Sequence, residues 1–363
     1  MARKTIISLL LALTISILTI SLYLRGHLEK PEYFAYDIQA KLLRSGIAAD
    51  STVKVVLVDE AAVKSLADIA GRWPWPRAIW ADLLEFLQMG GARAVLFDVL
   101  FTERTTTDDV NDKALIDATM ASRNVYHSMM IVREKPETEA GADAGLNRPM
   151  PAGFVGRFAL LNVSGALPMK AGAENNDYSL PIAGLAEASK GMAVVEFKPD
   201  SDSGHRRTQP LREYQGKCFP VLGLAPFTDG TTPITLRKNS IMINVSIPVD
   251  DNGNCIINMY GLDKVDTYSL SGVFASLQKI RQGEVENLLV NPEVFRDSIV
   301  FIGASAVGTA DLKAIPLAPS APGVLLHAFL ATNYLKNDFM RPPDRRFTVV
   351  SIIVGAFLTA WLV

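Results

Sequence analysis

Runs of apolar residues, and the periods at which they recur, divide this chain into elements. VKVVLVDE (Val53 to Glu60) is β-branched and almost continuously apolar, the pattern of a strand buried on both faces. Asp59 closes it and is placed to cap a helix through AAVKSLADIA. In GRWPWPRAIWADLLEFL (Gly71 to Leu87), Ile79, Leu83, Phe86 and Leu87 fall on one helical face, while Asp82, Glu85 and Gln88 fall on the other. Pro76 suits the first helical position, where its missing N–H costs nothing, and Gly90 and Gly91 stop the helix. ARAVLFDVLF then gives a second apolar strand ending at Asp98. Strand, helix and strand in this order form a βαβ unit, so the two strands are expected to pair in parallel.

The pattern continues through Asp112 to Val132 and through Leu180 to Phe197, each reading as helix then strand. Ile241 to Gly261 reads as two strands around Asp250-Asp251-Asn252-Gly253, a hairpin signal. Ser298 to Leu317 supplies the last core strand and a Gly-rich turn, and Gly323 to Asn337 a helix entered through Pro322. Arg133 to Gly153 is polar and rich in Gly, Pro and Ala, which predicts a mobile insertion. The expected fold class is α/β: a mixed, largely parallel sheet with flanking helices and hairpin additions, carried between transmembrane helices.

Both ends are apolar. Thr5 to Leu24 is uncharged and has the roughly 20 residues that cross a hydrocarbon core about 30 Å thick. A signal peptide would have a shorter apolar region and a small-residue cleavage site; here the run passes into Leu24-Arg25-Gly26-His27. An uncleaved anchor is therefore expected. Phe347 to Val363 is also uncharged, and reads as the start of a second span that continues past Val363. Arg3 and Lys4 before the first span place the amino end in the cytoplasm and export the domain that follows, although Arg25, Lys30, Arg341, Arg345 and Arg346 then lie outside, against the usual bias. The division expected is a cytoplasmic tail at 1–4, an anchor at 5–24, a connecting helix at 25–46, an extracytoplasmic domain at 47–341 and a second span from 347.

Charge and motifs remove several functions. The chain has 36 Lys+Arg against 38 Asp+Glu, a net charge of −2, which gives no footprint for nucleic acid. GASAVGTA has the outline of a phosphate loop but lacks its Lys. The four His form no metal-ligand spacing and no Ser-His-Asp order, so neither a metal, a cofactor nor catalysis is expected. His327 reads as a packing residue. Asp200, Asp202 and Gly204 hint at a calcium loop, but the Gly is one position early and Leu211 stands where the closing acid belongs. Arg206 and Arg207 beside that turn suit either an anion contact or a solvated hairpin tip. Cys218 and Cys255 are either a disulfide, which an exported domain permits, or two core thiols.

Open α/β sheets bind ligands at the carboxyl ends of their strands. That rule gathers Asp59, Trp73, Trp75, Arg77 and Asp98, and from the later turn Ser305 and Asp311, with Arg206 as a further candidate. Two readings of the Trp-Pro stretch stand side by side: a structural plug of stacked Trp and Pro, and the wall of a ligand pocket.

LVDE, GRWPWPR, GARAVLFDVLF, DSGHRR, IPVDDNGNCIINMYG, VFIGASAVGTADLKAIPL and PGVLLHA occur in this order through most of residues 30 to 340. Together they resemble the second type of CHASE domain, the extracytoplasmic sensor of bacterial membrane-bound cyclases and histidine kinases. The resemblance implies a receptor of the bacterial inner membrane, with its main domain periplasmic, that senses an external cue for a cytoplasmic cyclase or kinase. No motif of such an output module is present. The partners expected are the lipid bilayer, an unknown small ligand or envelope protein, and a second copy in a homodimer. A membrane-anchored structural protein of the cell envelope is the alternative.

Overall fold

The computed structural model describes residues 2–103, 109–133, 150–165, 176–228, 230–308, 311–341 and 344–362. Seven strands form the main sheet: β1 (Val53–Val58), β2 (Ala94–Phe97), β3 (Val125–Arg133), β4 (Asn176–Ser179), β5 (Gly191–Val194), β6 (Asp266–Ser269) and β7 (Ile299–Ala304). The order is β6-β1-β7-β2-β3, after which β3 pairs in parallel with β5 through Tyr126 to Met129 and antiparallel with β4 through Met130 to Arg133. All the other pairings are parallel.

The expected parallel relation of β1 and β2 holds, but the two are not neighbours. β7 lies between them, with Phe301 opposite both Val55 and Leu96. The physical reason is burial. Ile299 to Ile302 are all fully buried, and a strand apolar on both faces belongs at the centre of a parallel sheet.

Alternation then builds two cores. Val56, Val58, Val95, Phe97, Val300 and Ile302 face one side, under α3 (Ala78–Met89), α4 (Asp109–Ser122) and α5 (Leu270–Arg281). Val53, Val55, Ala94, Leu96, Ile299 and Phe301 face the other, under α6 (Val324–Lys336). Gly303 allows α6 to approach, since a Cβ there would stand 2.5 Å from that of Val324. His327 of α6 is fully buried and accepts a hydrogen bond at Nδ1 from Gly223 N; burial lowers its pKa to about 3, so it packs as a neutral ring.

The hairpin signal at Asp250 to Gly253 marks a turn, but the hairpin itself lies earlier. Ser240–Ile243 pairs with Val245–Pro248 around Asn244, which takes φ +58. Cys255–Ile256 pairs instead with Arg207–Thr208. Cys218 and Cys255 are separate buried thiols. The polar insertion falls almost wholly outside the described residues, as do Thr309 and Ala310 of the Gly-rich turn.

α1 (Ala2–Leu24) packs against the last helix, α7 (Arg345–Leu362), burying Ala12 and Ser16. Among the described residues, only Ile6–Leu24 is long and apolar enough to cross a membrane. The connecting helix is α2 (Glu29–Arg44), with Pro31 in its first turn.

The plug aromatics are unequally buried. Trp80 is 2 % exposed and packs edge-on to Phe97 and Phe101, whereas Trp73 is half-buried. Trp80→Ala is expected to cost about 3–5 kcal/mol in chemical unfolding of the solubilised chain, and Trp73→Ala less than half of that. Equal losses would contradict this placement.

Candidate functional site

A cavity of about 990 Å³ opens at the carboxyl edge of β7, β2, β3 and β5. Its chain origins follow the topology. β7 contributes Ala304, the residue after β2 is Asp98, β3 contributes Met130, and the residues after β5 are Val195, Glu196 and Phe197. The Trp73 to Arg77 stretch and the Asp98 to Glu103 segment form one wall; Asp311, Lys313, Gly323 and Val324 form the other.

Five of the eight residues singled out from the sequence line this cavity: Trp73, Trp75, Arg77, Asp98 and Asp311. Asp59 stays at the same sheet edge but caps Glu60–Ser65, accepting from Ala62 N at 2.8 Å and from Ser269 Oγ at 2.8 Å. Ser305 donates its backbone N–H to Val58 O at 2.9 Å, beside the cavity rather than in its wall. Arg206 lies elsewhere, against α2.

The aromatic wall is a packed cluster. Trp73 meets Trp75 at 5.3 Å and Trp80 at 6.0 Å, both edge to face. The peptide bond between Trp73 and Pro74 is cis. Trp75 is 5 % exposed, and its Nε1 has no hydrogen-bond partner among the described residues. Arg77 is held from behind: its guanidinium pairs with Asp112 at 2.5 Å and donates to the carbonyl oxygen of Glu103. The plug and pocket readings therefore describe two sides of one cluster, with Trp80 inside it and Trp73 on the cavity.

Asp98 sits at the floor, its backbone N–H bonded to Ile302 O at 2.8 Å. The residue is half-buried and borders the cavity. Burial first, then the nearby Asp311 carboxylate, push its pKa up to about 7; Lys313 opposes them. Lys313 is engaged with Asp311 at 2.7 Å. Gly323 N donates to Asp311 O at 2.8 Å, tying this segment to the start of α6.

Glu103, Glu196, Phe197 and Lys313 line the cavity without having been singled out from the sequence. Two signals in the sequence point to three of them, Lys313, Glu196 and Phe197. Lys313 follows Asp311 by two positions, which puts it on the same face of a strand. Glu196 and Phe197 follow the apolar run Met192 to Val194, so they fall under the same strand-end rule as Asp98.

Arg206 is neither an anion contact nor a solvated tip. It is 5 % exposed and donates to Asp37 of α2 at 2.7 and 2.8 Å, to Asp202 at 2.8 and 2.9 Å and to Asp200 at 3.2 Å. Its guanidinium lies 4.6 Å from the ring of Tyr33, also on α2. The hydrogen bond from Arg206 holds Asp202 below the usual carboxylate range, whereas burial raises Asp200. The carboxylates that hinted at calcium thus bind a guanidinium, and among the described residues no group of acids, His and Cys is arranged to hold a metal.

Asp98 generates a prediction with a definite sign. Its folded pKa of about 7 lies above the ordinary value of 3.8, so the folded state keeps a proton that the unfolded chain gives up, and the contribution to stability falls as pH rises from about 4 to about 7. Asp98→Asn is therefore expected to raise the melting temperature at pH 8 and to change it little at pH 4. A lower melting temperature at pH 8, or an equal change at both pH values, would show that the carboxylate is not desolvated.

Neither a search of curated proteins nor one of solved structures returned a match. The family model for the CHASE2 domain matches residues 10–363, taking in most of the first apolar helix, the α/β domain with its strand-edge cavity, and α7. The chain therefore belongs to the CHASE2 family, the extracytoplasmic sensor domains of signalling receptors.

Proposed function

We propose that this chain is the sensing part of a transmembrane receptor of the bacterial inner membrane. It binds an external small molecule in the strand-edge cavity and passes the event through α1 and α7 to a cytoplasmic cyclase or kinase. One observation carries the reading: a single strand joins the cavity to the connecting helix. Asp311 and Lys313 line the cavity. The next residue, Ala314, accepts from His205 N at 2.8 Å, and the residue after His205 is Arg206, which holds Asp37 of α2. α6 gives a second route. It starts at Val324 on the cavity wall and ends near Asp338, which pairs with Arg44 of α2 at 2.7 Å.

α2 also supports a homodimer. Tyr33, Asp37, Ala40 and Arg44 face the domain, while Phe34 and Leu42 on the opposite side are 69 % and 77 % exposed, with Ile38 between them. Two copies anchored in one bilayer stand parallel, and pairing their α2 helices buries this stripe.

The coupling is tested by hydrogen exchange on the full chain in lipid nanodiscs at pH 8. Asp98→Asn alters the cavity at the residue just past β2, a strand distant in sequence from α2. It is expected to change amide protection across Tyr33 to Arg44 by about threefold or more, with changes also at Leu312 to Ile315. A response confined to the cavity wall would rule out transmission by this route.

Placement and pairing are read with Leu42→Cys in whole cells. Burial pushes the native thiols of Cys218 and Cys255 up to about 11 and about 12, so a maleimide reports on the introduced thiol alone. Labelling by a membrane-impermeant maleimide and dimer formation with a short bismaleimide are the expected outcomes. Labelling only after lysis would reverse the topology, and labelling without crosslinking would remove α2 from the dimer contact.

A further inference from the structure

The charges and rings around the cavity define the chemistry of what fits it. Among the described lining residues, Asp98, Glu103, Glu196 and Asp311 are acidic and only Arg77 and Lys313 are basic. Both basic groups are already engaged, Arg77 by Asp112 behind the wall and Lys313 by Asp311. An anion entering the cavity finds no free cation among them. It also meets a second constraint: the amino end of α6, the natural seat for an anion, is approached by Asp311, whose Oδ2 stands within 3.0 Å of where a Gly323 Cβ would be.

The acids are differently placed. Among the described residues the Asp98 carboxylate forms no ion pair, Lys313 being taken by Asp311, and Glu196 Oε2 is buried without a hydrogen-bond partner. Arg212 lies behind Glu196, donating to its main-chain oxygen and to Gln209 rather than to its carboxylate. The same cavity is lined by the rings of Trp73, Trp75 and Phe197. A ring face carries negative potential, and aromatic faces beside carboxylates are the arrangement that holds organic cations. Trp75, 5 % exposed, adds to that wall an Nε1–H with no hydrogen-bond partner among the described residues.

We infer that the cavity takes a small organic amine: an ammonium group received by Asp98 and Glu196, on an apolar body seated against Trp73 and Phe197. This deepens the sensing role proposed above and rests on it. A cavity of about 990 Å³ lies at the upper end of the range for small-molecule sites, about 300–1,000 Å³, so a body of one or two rings is accommodated.

The test uses three probes of one shape on the full chain in nanodiscs at pH 8: 2-phenylethylamine, 2-phenylethanol and 3-phenylpropionate, titrated by calorimetry with Trp fluorescence as a second readout. The amine is expected to bind at least about tenfold more tightly than the alcohol, a difference of roughly 1.4 kcal/mol, and the propionate most weakly. Asp98→Asn and Glu196→Gln, both near-isosteric, are each expected to remove most of that preference, and Trp73→Ala to weaken the amine and to quench the fluorescence change. Absence of amine binding up to about 10 mM, or amine affinity equal to that of either other probe, overturns the inference. If the alcohol or propionate binds as well as the amine and Trp73→Ala abolishes it, the cavity remains the ligand site and only the charge class fails. If amine binding persists unchanged in Trp73→Ala, Asp98→Asn and Glu196→Gln alike, the ligand lies elsewhere and the cavity reading fails with it.

Discussion

Phe301 points to one face of the sheet and Ile302 to the other, and neither face touches water. That two-sided burial is the constraint from which the rest of the structure follows. A parallel sheet has no solvated face, so each side must be roofed by helices: α3, α4 and α5 over Val56 and Ile302, and α6 over Val55 and Phe301. The edge where the strands end is the place where the roof is incomplete. The cavity lies there because helices that enter and leave a parallel sheet diverge from its carboxyl edge, and side chains that follow the strands, such as Asp98 and Glu196, are delivered to it.

The aromatic cluster closes one side of this opening. Trp80 belongs to the core and anchors the cluster on Phe97, while Trp73 and Trp75 extend it to the cavity wall. One packed unit therefore contributes to stability at its base and forms part of the cavity wall at its rim. A carboxyl held near neutrality at the floor costs folding free energy, and groups perturbed by burial together with a neighbouring charge concentrate at functional sites. The raised Asp98 fits that pattern, and the buried His127 shows the contrast. Burial alone lowers it to about 3, it stacks on Phe97 at 4.9 Å, and it is not among the residues lining this cavity.

Arg206 plays the corresponding part between the domain and α2. A buried guanidinium needs its charge met and its donors satisfied, and Asp37, Asp200 and Asp202 do both. Because Asp37 is on α2, satisfying Arg206 also docks the helix that continues from the first apolar segment. The same demand that makes the cluster costly to break gives α2 a defined seat against the domain.

The sequence by itself determined the local features: the apolar run at Ile6 to Leu24, the stripe of Ile79, Leu83, Phe86 and Leu87, the Asp59 cap, the strands leading to Asp98 and Ala304, and through them some of the residues that line the cavity. These are set by neighbours within a few residues, where period and capping chemistry act. Tertiary structure decided what depends on distant partners. β7 entered between β1 and β2 because only the centre of the sheet buries both its faces, although some two hundred residues separate it from either by sequence number. Arg206 was drawn to Asp37, 169 positions away, because a buried guanidinium takes the carboxylates that space supplies, and no spacing in the chain records that meeting. Cys255 paired its strand with Arg207–Thr208 rather than with Val245–Pro248 for the same reason: strand pairing is chosen by the burial available in the whole fold, and the turn at Asp250 fixes only where the chain changes direction.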